Sequence, residues 1–329
     1  MVDHYICHTN ITLYKQHINK ITMPFDPKSF SKNLAKATQQ QAPFPKNFSY
    51  DPKRIPNKSQ DKQISLNSKL AFISHRQGAR PYQEDAAGIY TIKNNRLANL
   101  ANEVVAEILY KTIIKLGEEI NQKPFAQNCG STLITSLQIG NRVFTANIGD
   151  SKAILLKRKN KKTFTAQALN WEHKPTDQDE TERIKNEGGT VLKLDVERLG
   201  GILALSRAFG HPRLPGLSYQ PDITVVETSE DEEAYIINCC DGITETMNEL
   251  DIEEFFSTQG LSNNPASQLG KEAYLRGSTD NISVVFVPII NEPDKSILSF
   301  VADGHGGADV ALYIKSNFVK CLDGLIQEI

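Results

Sequence analysis

The sequence predicts an α+β fold in which antiparallel β-sheets are covered by helices. Short β-rich runs end in Gly, Asp or Asn, and a few longer segments carry apolar residues at helical spacing. The two kinds of segment do not alternate as they would in a parallel βαβ sheet. With 39% hydrophobic and 23% charged residues over 329 positions, the chain can bury a large core.

Residues 1–70 are predicted to be a polar N-terminal tail or linker. They are rich in Lys, Asn, Gln, Ser and Pro and show neither helical nor strand periodicity. Residues 71–329 contain the periodic segments and are predicted to form one folded domain.

Five runs in this domain are predicted to be strands, because β-branched and aromatic residues dominate each run and turn residues follow. In chain order they are AGIYTI (87–92), RVFTANIGD (142–150), YIINCCDG (235–242), NISVVFVPII (281–290) and SILSFVADG (296–304).

Three segments are predicted to be helices. TERIKNEGG (181–189) has the pattern of a helix ended by glycine. The other two are amphipathic, with Leu97, Leu100, Val104, Ile108 and Leu109 on one face of the first, and Val310, Ile314, Phe318, Leu322 and Ile326 on one face of the second.

Charge and cysteine content exclude several functional classes. Lys and Arg total 37 and Asp and Glu total 39, so a globally basic nucleic-acid-binding protein is not expected. We also expect no membrane association, since no stretch is long and apolar enough to span a bilayer and no secretory signal is visible. The five cysteines form no regular framework and are expected to be reduced. A cytoplasmic location is expected, with export into another cell's cytosol as the alternative.

Acidic residues recur where the predicted strands begin or end. These residues are Glu84, Asp85, Asp150, Asp241, Asp280 and Asp303. Each alone is explained by ordinary turn chemistry. Together they could meet at one edge of the packed sheets, where crowded carboxylates repel unless a cation lies among them.

Oxygen ligands of this kind favour Mg²⁺ or Mn²⁺ over zinc. Two such ions, about 3.5–4 Å apart, would suit the hydrolysis of a phosphate ester. Other chemistries lack their motifs, since the sequence contains no GxxxxGK[ST] loop, no HExxH and no GxSxG.

The chain resembles the metal-dependent Ser/Thr protein phosphatases of the protein phosphatase 2C type. Seven stretches carry the resemblance and are spread over nearly all of the chain after residue 70: ARPYQEDA (79–86), CGSTLITSLQIGNRVFTANIGDSKAILL (129–156), EHKPTDQDETERIKNEGGTV (172–191), GGILALSRAFG (200–210), CCDGITETM (239–247), STDNISVVFV (278–287) and FVADGHGGADVALYI (300–314).

The resemblance implies a catalytic domain over 71–329, built as a sandwich of two antiparallel sheets flanked by helices, with the metals in a cleft at one end. Asp303 would bridge two metals. Glu84 and the carbonyl of Gly304 would complete one metal site, and Asp241 and Asp280 the other.

The resemblance assigns roles to five further residues. Asp85 would orient the attacking water, and Arg80 would bind the substrate phosphate through its planar guanidinium. His305 would protonate the leaving Ser or Thr oxygen. Asp150 and Glu245 match positions that serve a weaker third metal in some members, although the family usually has Asp where Glu245 stands. We interpret His75, His173 and His211 as surface or hydrogen-bonding residues.

The order of the motifs departs from the family. DGHGG normally follows the RxxxED motif closely, but here it comes last, and residues 86–149 contain no aspartate. The strand order is therefore interpreted as permuted, with a strand–loop–helix segment moved to the C-terminus. We expect the strand after Asp280 and the strand before Asp303 to be antiparallel near neighbours within one chain, and the protein to be a monomer.

The expected function is metal-dependent hydrolysis of phosphoserine or phosphothreonine in a phosphoprotein substrate, with Mn²⁺ or Mg²⁺ as cofactor. Two alternatives stay open. One is an inactive pseudophosphatase that acts as a binding scaffold, and the other is a phosphatase of a small phosphorylated metabolite.

Overall fold

The computed structural model describes residues 59–66, 69–92, 96–229, 232–292 and 295–328. Most of the predicted N-terminal tail, including Cys7, lies outside these ranges. The described strands are β1 (Gln60–Leu66), β2 (Lys69–Arg76), β3 (Ala86–Ile92), β4 (Gly130–Ser131), β5 (Leu133–Ile139), β6 (Arg142–Ile148), β7 (Lys152–Arg158), β8 (Phe164–Ala168), β9 (Val191–Lys193), β10 (Glu197–Leu199), β11 (Phe209–Gly210), β12 (Asp222–Glu227), β13 (Ala234–Cys239), β14 (Ile282–Pro288), β15 (Ser296–Ala302) and β16 (Gly304–His305).

The described α-helices are α1 (Asn102–Asn121), α2 (Gln178–Asn186), α3 (Asp241–Thr244), α4 (Glu249–Gln259), α5 (Pro265–Leu275) and α6 (Asp309–Gln327). Helix α2 begins where the side chain of Asp177 accepts hydrogen bonds from the backbone N–H groups of Asp179 and Glu180. It ends before Gly188, whose positive φ of 79° suits glycine. The predicted glycine-terminated helix is thus confirmed.

Two antiparallel sheets form the centre of the fold, as the sequence predicts. One has six strands in the order β1-β2-β14-β13-β7-β8, and the other has five in the order β12-β6-β5-β15-β3. Apolar side chains such as Ile73 and Val285 from the first sheet and Ile134 and Val301 from the second fill the space between them. Burial of this surface is the main force that holds the sheets together.

Helices cover both outer faces. Helices α1 and α6 pack on the five-stranded sheet around Phe144, Phe300 and Phe318, whereas α3, α4 and α5 pack on the six-stranded sheet around Phe256 and Phe286. The five residues predicted to form the apolar face of α6 are all buried, so that prediction is confirmed. The four described cysteines are free and buried, as expected.

The prediction of the first amphipathic helix is only partly correct. Helix α1 begins at Asn102, so Leu97 and Leu100 precede it, and Leu97 lies in a short 3₁₀ turn. Ile108 and Leu109 are buried, but Val104 is 37% exposed. The apolar spacing continued across a helix boundary, and periodicity alone cannot locate such a boundary.

The sheet also begins earlier than residue 71. Strand β1 pairs with β2 from Gln60 to Leu66, within the segment predicted to be a tail. Four of the first five residues of this edge strand point to solvent and are polar. It therefore lacks the alternating apolar pattern by which a strand is recognised.

Strand β15 pairs with β3 on one side and β5 on the other, although it follows both by more than 150 residues. Strand β14 lies in the opposite sheet, between β2 and β13. The two strands contact each other across the two sheets, so they are near neighbours as expected, although they do not pair as antiparallel strands within one sheet. The chain thus passes from one sheet to the other between Pro288 and Ser296.

No helix among the described residues is long and apolar enough to cross a membrane.

Candidate metal centre

A cavity of about 480 Å³ opens where strands of both sheets begin or end. Its lining contains nine of the ten residues predicted for the site: Arg80, Glu84, Asp150, Asp241, Glu245, Asp280, Asp303, Gly304 and His305. The tenth, Asp85, is 7% exposed and is buried next to the cavity, where it interacts with Asp241 and Asp303. Apolar residues of the segment 202–205 also line the cavity, together with Arg198 and others.

The acidic side chains come close enough to share a cation. Ligand atoms of Asp241, Glu245 and Asp280 lie within 4.8 Å of one another, and so do those of Cys240, Asp241 and Asp303. The Oδ1 atom of Asp241 is buried and accepts no hydrogen bond from any described residue. A divalent cation would satisfy this orphan acceptor, so the donor set fits one.

Carboxyl pKa values reflect this crowding. Burial, followed by the charges of Asp85 and Asp241, raises the pKa of Asp303 well above its usual range. Burial and neighbouring carboxylates also raise the pKa of Asp150 and Asp241, and that of Glu245 to about 7. A bound cation would reverse these shifts, because it stabilises the ionised forms.

The side chains of the site offer the kind of ligand atoms that hard cations prefer. Burial raises the pKa of the Cys240 thiol, and its sulfur donates to the carbonyl of Asn281 at 3.3 Å. Carboxylate oxygens are then the charged donors available, and they suit Mg²⁺ or Mn²⁺ better than a thiophilic metal.

Gly304 lets two strands of the site approach each other. A Cβ atom at this position would lie 2.3 Å from the carbonyl oxygen of Glu84, so a side chain cannot be accommodated without backbone movement. This close approach brings the two residues predicted to share one metal site together.

Thr132 holds the backbone of Asp303. Its N–H donates to the carbonyl of Asp303 at 2.9 Å, and its hydroxyl accepts from the N–H of Asp303 at 3.3 Å. The same hydroxyl contacts that of Ser151 at 2.8 Å. The C-terminal segment that contains Asp303 is therefore held by hydrogen bonds to Thr132, which lies near the middle of the chain.

Asn281 is a structural part of the site that the sequence analysis missed. Its side chain accepts from the N–H of Glu84 at 2.8 Å and donates to the carbonyls of Gln77 and Tyr82. It thus orders the loop that carries Arg80 and Glu84. The only signal in the sequence was the Asp-Asn pair, which also has the ordinary interpretation of a turn.

Arg80 is already bound to another predicted site residue. Its Nη2 atom lies 2.5 Å from Oδ2 of Asp280, although 57% of its side chain is exposed. This hydrogen bond raises the pKa of Arg80. The guanidinium is at the cavity, as predicted, but it neutralises a carboxylate there.

His305 lies under a second histidine. Its ring stacks on that of His211, with centroids 5.1 Å apart and planes 5° apart. A Cβ on Gly130 would meet Nε2 of His305 at 2.3 Å, so this glycine leaves room for the ring. Burial, and secondarily His211, lowers the pKa of His305 to about 4.

Comparison with known proteins agrees with this architecture. The family profile described as "Protein phosphatase 2C" matches residues 52–282. "Probable protein phosphatase 2C member 13, mitochondrial" from Oryza sativa subsp. japonica is 36% identical over 159 residues, which cover 48% of this chain and 42% of that protein. The chain spans about half the length of the curated relatives it matches.

Two solved structures from Toxoplasma gondii share the fold. One, a phosphatase from a pathogenic strain, has a TM-score of 0.54 at 23% identity, covering 72% of this chain and 95% of that one. The other, a serine-threonine phosphatase 2C, has a TM-score of 0.52 at 20% identity, covering 70% and 99%. Because the family profile matches most of the sequence, the chain belongs to the protein phosphatase 2C family.

Proposed function

We propose that this chain hydrolyses phosphoserine and phosphothreonine in proteins with the help of two Mn²⁺ or Mg²⁺ ions. One observation carries the proposal: six acidic side chains line a single cavity whose only basic lining residues, among those described, are His305 and two arginines. Such an excess of negative charge is costly without bound cations. Membership of the protein phosphatase 2C family supports the reaction class.

In this proposal Asp303, Glu84 and the carbonyl of Gly304 would hold one ion, and Asp241 and Asp280, together with Asp303, would hold the other. Asp150 and Glu245 would contribute to a third, weaker site. When bound, the ions would supply positive charge to the phosphate and lower the pKa of the attacking water.

Three residues of the chain would handle the substrate and its protons. Arg80 would exchange part of its contact with Asp280 for the phosphate oxygens, whose geometry its planar fork matches. Asp85 would orient the attacking water through a carboxylate oxygen. His305 would donate a proton to the leaving oxygen, and the negative phosphate would favour its protonated form despite burial.

We also propose that the C-terminal segment of β15, β16 and α6 occupies the place of an internal segment in the family. In support, the family profile stops at residue 282, before this segment begins, whereas β15 lies between β3 and β5. Placement of a strand depends on its neighbours in the sheet, and chain order matters only through the lengths of the connections.

The test is hydrolysis of p-nitrophenyl phosphate and of a phosphothreonine peptide by the full chain. We expect turnover with Mn²⁺ that EDTA abolishes, and a higher kcat/KM for the peptide than for small phosphorylated metabolites. Well-folded protein without turnover in any divalent metal would point to a pseudophosphatase. Preference for a small metabolite would contradict the proposed substrate.

A further inference from the structure

A chain of hydrogen bonds leads from Asp85 into the six-stranded sheet. The hydroxyl of Ser283, on β14, donates to Oδ2 of Asp85 at 2.5 Å. The same Oγ lies 2.7 Å from Nδ1 of His75, on β2. Asp85 and Ser283 are 7% and 0% exposed, so water competes little for these bonds.

The protons of this chain can be assigned by counting donors. A serine hydroxyl carries one hydrogen, and when Asp85 is ionised this hydrogen is directed to its carboxylate. Oγ must then accept from His75, which requires the proton of His75 to be on Nδ1. Burial lowers the pKa of His75 to about 4, so the imidazole is neutral and has one N–H.

Ser283 is itself rigidly placed. Its N–H donates to the sulfur of Cys240 at 3.0 Å, and its carbonyl accepts from the N–H of Cys240 at 3.2 Å. Cys240 directly precedes Asp241. Ser283 therefore links three parts of the site: Asp85, the end of β13 and, through His75, strand β2.

The consequence for Asp85 is an asymmetric carboxyl group. Oδ2 is held by Ser283, whereas Oδ1 is buried and receives no hydrogen bond from the described residues. Two equivalent oxygens would let the carboxyl group rotate, but the bond to Ser283 fixes which oxygen stays free.

We propose that Ser283 and His75 are positioning residues that hold Asp85 so that Oδ1 alone is available to the attacking water. The inference rests on the proposed function, because it deepens the role of Asp85 in that reaction. Neither residue would touch the substrate.

The tautomer of His75 provides a test that does not depend on activity. The full chain, labelled with ¹⁵N-histidine, is studied by NMR without metal, and the His75 signals are assigned by their loss in His75→Asn. We expect the neutral tautomer with hydrogen on Nδ1. A hydrogen on Nε2 would overturn the proposal, because His75 could not then donate to Ser283.

Kinetics test the consequence for catalysis, with p-nitrophenyl phosphate and Mn²⁺. We expect Ser283→Ala to lower kcat by roughly 10- to 100-fold, while KM stays within about twofold of the wild-type value. In other metalloenzymes, loss of a side chain that hydrogen-bonds to a residue of the metal site has an effect of this size. Ser283→Thr keeps the hydroxyl and should restore most of kcat. His75→Asn retains a donor near the position of Nδ1 and should lose less than about threefold, whereas His75→Phe should lose about tenfold.

Ser299→Ala is the matched control. Ser299 is also a buried strand serine, 2% exposed, but its hydroxyl contacts Asn238 and Ser136 and no residue of the proposed site. It should lower the thermal unfolding midpoint about as much as Ser283→Ala while leaving kcat unchanged. Equal kcat in Ser283→Ala and wild type would overturn this inference alone. Absence of turnover in the folded wild-type protein would overturn it together with the proposed function.

Discussion

Two groups of buried acidic side chains in this protein differ in how their charge is balanced. In the cavity of the candidate metal centre, carboxylates such as Asp241 and Asp303 face one another, and burial and mutual repulsion raise their pKa values. Around Arg207, by contrast, Glu180 and Asp222 are each paired with a cation from the chain itself.

The Arg207 cluster is complete within the fold. Its guanidinium donates to Glu180 at 2.5 Å and to Asp222 at 3.1 Å, and Arg183 donates to Glu180 at 3.0 Å. Nδ1 of His173 accepts from the N–H of Gly149, so its Nε2 donates to Asp222 at 3.2 Å. Burial alone would raise the pKa of Glu180, but the bonds and charge of Arg207 lower it to about 2.

The comparison separates two uses of buried charge. Acidic groups that hold the fold together find their partners in the same chain, whereas of the carboxylates in the cavity only Asp280, paired with Arg80, has such a cationic partner among the described residues. A buried carboxylate cluster that the chain leaves unbalanced is the physical signature of a site for an external cation.

The largest expected effect concerns Asp303→Asn. Removing the carboxylate that would be shared by both ions should reduce Mn²⁺-dependent hydrolysis of p-nitrophenyl phosphate by roughly 10³-fold. Steady-state kinetics measure it. Asp323→Asn, on the same C-terminal segment but in helix α6 away from the cavity, should retain activity. Full activity in Asp303→Asn would show that the C-terminal segment does not complete the site.

The change in the free energy of unfolding that we expect for Arg207→Met is similar in size to the change in activation free energy that we expect for Asp303→Asn. The substitution leaves Asp222 and part of Glu180 without their buried partner, which should lower the free energy of unfolding by about 3–5 kcal/mol. Urea denaturation measures the change. Lys111→Ala removes only the exposed pair with Glu107, so its midpoint should hardly move. If both variants unfold at the wild-type urea concentration, the cluster does not stabilise the fold.

A somewhat smaller effect should appear at acid pH. The pKa of Glu180 is lower in the folded protein than the ordinary 4.5, so its stabilising contribution is present above pH 4.5. It is lost as pH falls from about 4.5 towards 2, and amounts to roughly 3 kcal/mol. Denaturation curves over this range should show a shallower loss of stability in Glu180→Gln than in wild type. Parallel pH profiles would contradict the assigned shift.

The sequence predicted much of this arrangement because the acidic residues lie where recognisable strands begin or end. All five predicted strands are present, and Asp150, Asp241, Asp280 and Asp303 meet at the cavity. What it could not predict are contacts between distant strands. The bond between Ser283 and Asp85 joins positions 198 residues apart, and no local pattern encodes it.

The sequence also could not predict the edge strand or the sheet to which each strand belongs. Strand β1 is polar where it meets solvent, so its residues resemble a linker. The short connection between β14 and β15 indicated that the two strands lie close together, but chain length limits distance and does not distinguish a hairpin from a crossing between sheets.

Calorimetric titration of Mn²⁺ into the metal-free protein tests most directly whether the cleft requires external cations. We predict saturable binding of about two ions per chain, and strongly weakened binding in Asp303→Asn. Binding should also raise the thermal midpoint. At a free Mn²⁺ concentration 100 times the Kd, the free energy of unfolding should increase by about 2.7 kcal/mol. Folded wild-type protein that takes up no Mn²⁺ or Mg²⁺ would contradict the account.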